Sequence, residues 1–179
     1  MTRQPFTLIP FACNPAADDF KVNGLVERSV EKLIIDYSLE GPLDRLFLRP
    51  PAKMSVRKDR LWEETCFECF IGADSKSRYW EINLSPAGHW NVYQFDDYRA
   101  GMKEASACSL LPSVPVSAPD QFKMRCEVDL NTLGLANTEI NIGPCAILMT
   151  TDLKVVHWAM AHPDSKPDFH RQDGFKLHL

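Results

Sequence analysis

The stretch Thr65-Cys66-Phe67-Glu68-Cys69-Phe70-Ile71 decides the fold, together with Tyr79-Trp80-Glu81-Ile82-Asn83-Leu84 and His89-Trp90-Asn91-Val92-Tyr93-Gln94-Phe95 that follow it. Successive side chains of a strand point to opposite faces. On that rule Thr65, Phe67, Cys69 and Ile71 share one face, and Glu64, Cys66, Glu68 and Phe70 the other. Trp80, Ile82 and Leu84 oppose Tyr79, Glu81 and Asn83, while Trp90 and Val92 oppose His89, Asn91, Tyr93 and Phe95. The breaks between these strands are short, so neighbours run antiparallel and like faces merge. One merged face is an apolar core. The other is a row of Glu68, Glu81, Asn83 and Asn91 interleaved with Tyr79, Tyr93 and Trp62.

Working outward, strand-like runs recur at residues 6–11, 25–29, 31–39, 43–48, 123–130, 140–142, 146–151 and 154–160, with a last short one at 174–179. Gly41-Pro42, Pro50-Pro51, Ser85-Pro86-Ala87-Gly88 and Gly143-Pro144 punctuate them. This spacing predicts an all-β fold, a sandwich or a barrel, in one domain over residues 1–179. Helical turns are minor: one turn at 131–135 capped by Asn131, and two turns at 99–109. Residues 50–60, and 110–121 with its three prolines, read as irregular surface loops.

The 179 residues carry 20 basic and 24 acidic side chains, a net charge of −4. A nucleic-acid binder usually shows a basic excess, so nucleic acid is not an expected partner. No apolar run approaches the ~18 residues of a membrane-spanning helix. Residues 1–17 hold one basic residue and a broken apolar run, a poor signal peptide, and the expected compartment is the cytoplasm. There the six cysteines are read as small buried hydrophobes, although three disulfides in a secreted protein would also use them.

Two readings of the polar face stand side by side. An antiparallel sheet commonly has one wet face, which naturally carries Glu, Asn and Tyr; on strand pattern alone that reading leads. Yet nine of the chain's eighteen aromatics lie between Trp62 and Tyr98. Rings stack on a pyranose while carboxylates and amides bond its hydroxyls, so rings and acids on one face suit a sugar.

The run Leu-Trp-x-x-Thr-Cys-Phe-Glu-x-Phe from Leu61, the run Tyr-Trp-Glu-x-Asn-x-Ser-Pro-x-Gly-x-Trp-x-x-Tyr-x-Phe from Tyr79, and Tyr98-Arg99 resemble the DOMON-like proteins, which are similar to family 9 carbohydrate-binding modules. The tail His162-Pro163-Asp164-Ser165-Lys166-Pro167-Asp168-Phe169-His170, with Phe175, resembles the same family's closing segment. The resemblance implies a jelly-roll-like antiparallel β-sandwich whose relatives bind sugars or haem.

The expected function is therefore non-catalytic binding of a sugar or sugar-derived small molecule. Trp62 and Tyr93 are expected to stack on the ligand. Glu68, Glu81, Asn83 and Arg99 are expected to hydrogen-bond it, and His162, Lys166, Asp168 and His170 to close the rim. Glu68 sits in an otherwise apolar strand and needs a partner, for which Arg99 is the natural candidate. Each of these residues also has a structural reading: Trp62 as a plug at the sheet end, Glu68 with Arg99 as an ion pair under a loop, the tail as a surface loop anchored by Phe169.

No cofactor is expected. Cys66 and Cys69 point to opposite faces of a strand, and His157, His162 and His170 match no metal spacing. Haem remains an alternative, with His157, Met102, Met149 and Met160 available as axial ligands but no Cys-x-x-Cys-His for attachment. No nucleophile-elbow, phosphate-loop, zinc-protease or dinucleotide motif occurs. An enzymatic alternative, a glycosidase or sugar isomerase, would use Glu68 and Glu81 as its acid pair. The oligomeric state is not readable from the chain.

Overall fold

The structure is a computed structural model, described for residues 1–12, 14–73, 77–108 and 113–179. Among these, twelve strands form antiparallel ladders. The first sheet joins β1 (Thr2–Pro10), β2 (Lys21–Arg28), β3 (Lys32–Glu40), β9 (Gln121–Asp129) and β8 (Ser113–Ala118) in that spatial order. The second runs β7 (Lys103–Glu104), β6 (Trp90–Phe95), β5 (Tyr79–Leu84), β4 (Cys66–Ala73), β10 (Ile140–Met149) and β11 (Val155–Ala159), with β12 (Leu177–His178) also on β10. The strand β1 serves both: residues 2–8 pair with β2, and Ile9 and Pro10 pair with β11. The result is an antiparallel β-sandwich whose described residues include three short 3-10 turns, at Leu43–Arg45, Leu61–Glu63 and Gln172–Gly174. Among the described residues no helix is long and apolar enough to cross a membrane.

The core between the sheets follows from alternation. Phe6, Val26, Leu33, Ile35, Tyr37, Phe122 and Cys126 of the first sheet meet Phe67, Cys69, Ile71, Ile82, Leu84, Trp90, Val92 and Leu148 of the second. Phe67 stacks on Phe122 at 5.3 Å and tilts against Tyr37 at 5.3 Å. The buried Tyr37 hydroxyl finds the polar partner it needs by donating to the Glu68 backbone carbonyl at 2.5 Å.

The structure corrects several element expectations. Residues 43–48 form a 3-10 turn and a single bridge (Leu46 to Thr150) instead of a strand. Gly143-Pro144 does not divide two strands but lies inside β10. Its position explains the tolerance: one edge of β10 pairs with β4 from Ile140 to Ile147, while the other passes from β12 at Asn141 and Ile142 to β11 at Cys145, so on that edge Gly143 and Pro144 fall between two ladders. The proline-bearing run expected as a loop contributes β8, on the sheet edge where proline is tolerated. Residues 99–109 hold turns and β7, with 109 outside the described residues. The turn at 131–135 is held by Asp129, whose carboxylate accepts the Asn131 N–H at 2.9 Å, not by Asn131. Of the cysteines, 66, 69, 108, 126 and 145 are free and buried; Cys13 lies outside the described residues.

The largest departure concerns the outer face of the second sheet. It is not wet. Phe70, Tyr79, Tyr93, Phe95, Cys145, Ala159 and Phe175 form a second apolar cluster there, joined by Trp62 and Phe169. The segment after β11 folds back across the sheet to make it. Phe175 seats because Gly143 offers bare backbone: a Cβ at Gly143 would lie 2.7 Å from the Phe175 ring.

Candidate functional site

Where this covering stops short, it leaves a hollow of about 360 Å³, at the small end of the ~300–1,000 Å³ typical of small-molecule sites. Glu68 of β4 and Glu81 of β5 line it, as do the rings of Trp62, Phe70, Phe95 and Phe169, with Arg99 and His170 at the sides. Antiparallel register sets Glu81 opposite Phe70 and Glu68 opposite Asn83, so the two acids are diagonal neighbours on one face.

Glu68 is 2% exposed and its Oε1 has no hydrogen-bond partner. Its other oxygen accepts from the Cys145 thiol at 4.0 Å, and the Cys66 thiol also bears on the carboxyl. Burial, reinforced by the Glu81 charge, holds its carboxyl well above the ordinary range. Glu81 is 5% exposed and accepts a hydrogen bond from Asn83 Nδ2 at 2.7 Å. Burial pushes it up to about 7, against the opposing pull of Asn83 and of the Arg99 charge.

The expected Glu68–Arg99 pair does not form. Arg99 instead bonds Asp168 at 2.9 Å, and Asp168 also accepts from Tyr98 Oη at 2.5 Å and the His170 N–H at 3.0 Å. Although burial opposes it, the Tyr98 and Arg99 bonds hold Asp168 below the ordinary carboxylate range. Arg99 adopts a left-handed backbone (φ 50°), and its N–H donates to Tyr79 Oη at 3.1 Å. Tyr79 Oη also hydrogen-bonds His170 Nδ1 at 2.8 Å, and the other ring nitrogen, Nε2, lies 3.9 Å from Glu81 Oε2. Burial first, and the Arg99 charge second, pull His170 down to about 4, which keeps it neutral near pH 7.

Of the ten residues expected at the site, Trp62, Glu68, Glu81, Arg99 and His170 meet at the hollow. Asp168 pins Arg99, and Asn83 orients Glu81. Tyr93 is 3% exposed, with its hydroxyl accepting from Asn91 at 2.7 Å and donating to Asp59 at 2.5 Å; it supports Trp62 edge-to-face at 5.6 Å and offers no free face for stacking. His162 bonds the Ile9 carbonyl at 2.9 Å and packs on Phe11, on the β1 side. Lys166 is exposed beside the wall residue Pro167. Alternation places Phe70 and Phe95 on the acidic face, and Phe169, expected as the anchor of the tail, forms a wall; the Ile147 wall carries no signal in the sequence.

His157 and Met102, considered as haem ligands, both line the hollow. The group does not fit: a haem carries two anionic propionates, and this hollow offers two buried acids and a guanidinium already bonded to Asp168. Among the described residues no group of three or more His, Cys, Asp or Glu could hold a metal ion. A second hollow of about 540 Å³ lies near Arg49, Arg60, Glu63 and Glu64, but its acids are already taken, Glu64 by Arg49 at 2.8 Å and Glu63 by Arg60.

No family model matches the chain, and no curated protein matches it. Solved structures do. A Bacteroides uniformis protein assigned to carbohydrate binding superposes with a TM-score of 0.71 over 97% of this chain and 84% of its own, at 12% identity. A family 9 carbohydrate-binding module of Caldicellulosiruptor kristjanssonii in complex with cellotriose gives 0.55 over 90% and 74%, at 8% identity. The same source's module in complex with glucose gives 0.52 over 88% and 73%, at 9%. The chain is similar in fold to family 9 carbohydrate-binding modules. At these identities the likeness concerns the backbone, and the side chains of the hollow must be judged on their own chemistry.

Proposed function

We propose that this protein is a non-catalytic binding domain for a sugar or sugar-derived small molecule, held in the hollow on the outer face of the second sheet. One observation carries the reading: two acids with unused bonding capacity stand among aromatic rings in a space that admits a sugar unit. Rings supply apolar area for a pyranose face, and the carboxyls supply the hydrogen bonds that orient its hydroxyls. The folds that accommodate cellotriose and glucose in the Caldicellulosiruptor modules support it.

Isothermal titration of the purified protein with mono- and disaccharides tests the reading. A dissociation constant below about 1 mM, ~4 kcal/mol, that weakens at least tenfold in Trp62→Ala supports it. A panel with no binder tighter than about 1 mM defeats it, and turnover of aryl glycosides that vanishes in Glu81→Gln would move the protein to the enzymes.

A further inference from the structure

Buried charges in folded proteins are paired or neutralised. Asp168, its side chain 8% exposed, is paired: it meets Arg99 at 2.9 Å. The acids on the floor of the hollow take the second course: no cation meets them, and burial holds both toward the neutral form. Glu68 Oε1 is buried and meets no donor, and no cation bonds either acid.

The surroundings offer no counter-charge. The strand β4 contributes Cys66 and β10 contributes Cys145, thiols that burial holds well above their ordinary range and so uncharged. From β5 come Tyr79, pushed up to about 12 by burial, and the amide of Asn83. Burial lowers His157 of β11 and His170 of the closing segment, and both are neutral. Arg99 is the one cation lining the hollow among the described residues, and Asp168 holds its guanidinium. Around the two acids stand Trp62, Phe70, Phe95 and Phe169, whose ring faces attract cations.

We propose that the ligand brings the missing charge: a protonated amine that docks between Glu68 and Glu81, with the rest of the molecule against the aromatic wall. Resting on the sugar reading above, this makes the ligand an amino sugar with a free amino group. A plain hydroxyl brings no charge and leaves the cost of ionising either buried acid unmet. An ammonium supplies donors to both and a charge that favours their carboxylate form. Binding then draws both acids into the carboxylate form and releases protons.

Calorimetry on the intact protein decides it, with glucosamine, glucose, N-acetylglucosamine and ethanolamine as probes at pH 7. Glucosamine is expected to bind about tenfold or more tighter than glucose or N-acetylglucosamine. Its heat should vary with the buffer's ionisation enthalpy as protons leave. Its affinity should fall by well over tenfold from pH 7.5 to pH 5.5 as both acids hold their protons. Glu68→Gln, a near-isosteric change checked for folding by circular dichroism, should erase the preference. Glucose or N-acetylglucosamine binding as tightly as glucosamine, or a flat pH profile in the unaltered protein, overturns the amine site and leaves the sugar reading standing. Ethanolamine binding with no sugar binding keeps the amine site and defeats the sugar reading. No binding by any probe defeats both.

Discussion

Along β3 burial alternates residue by residue, and along β9 it does the same, whereas β4 and β5 are buried at every position. The two sheets share one core, so the difference lies in their outer faces. The outer face of the first sheet meets water and carries cross-strand ion pairs, Arg3 with Glu27, Lys32 with Glu127 and Arg125 with Asp36. The outer face of the second is roofed by residues beyond β11 and carries a second cluster of rings with two unpaired acids beneath. The same strand chemistry gives a solvated surface in one sheet and a binding floor in the other. What separates them is whether distant chain returns to cover the face.

The sharpest way to break this comparison is Phe70→Ala. Phe70 is 1% exposed on the outer face and touches the rings of His170 at 5.0 Å and Phe175 at 5.9 Å. Its truncation is expected to cost about 3–5 kcal/mol in urea denaturation, as much as losing a ring between the sheets. A loss under about 1 kcal/mol would mean the roof is not packed core.

Next in size is the pH dependence of stability. Glu81 has a folded pKa of about 7 against an ordinary 4.5. The folded chain therefore binds more protons, and stability falls as pH rises through that interval. His170 acts the other way: with a folded pKa of about 4 against 6.5, its contribution rises over that interval. The two partly cancel. Glu81→Gln removes only the falling arm, so the variant should gain about 2–3 kcal/mol on the parent protein between pH 4.5 and pH 8. Parallel stability curves would show that Glu81 is not held in a desolvated floor.

The smallest effect belongs to the wet face. Arg125→Ala removes the partner of Asp36 in a pair whose side chains are 46% and 31% exposed. Thermal unfolding should register less than about 1 kcal/mol, shrinking further in salt. A larger loss would make the first sheet's outer face more than a solvated surface.

Alternation along three strands made the division of faces legible before any coordinates: Trp80, Ile82 and Leu84 do face the core, and Glu68, Glu81 and Asn83 do share the opposite side. Periodicity is a local property and says nothing about what lands on a face. The Arg99–Asp168 bond joins residues 69 apart, and Phe175 docks on Gly143 through a vacancy that exists only because that residue has no side chain. Nothing in strand spacing encodes either contact. For the same reason Arg99 was matched to Glu68, the nearest acid in need, when its partner lay in the tail.

One wall of the hollow, Pro167 to His170, follows every strand except β12 in the chain. During synthesis both sheets can therefore begin to pair while the pocket still lacks a side. Ligand meets a complete receptor only on molecules elongated past this point, and by mass action it then favours those molecules over truncated or unroofed ones. A binding assay on such a protein counts chains that carry residues 167–170.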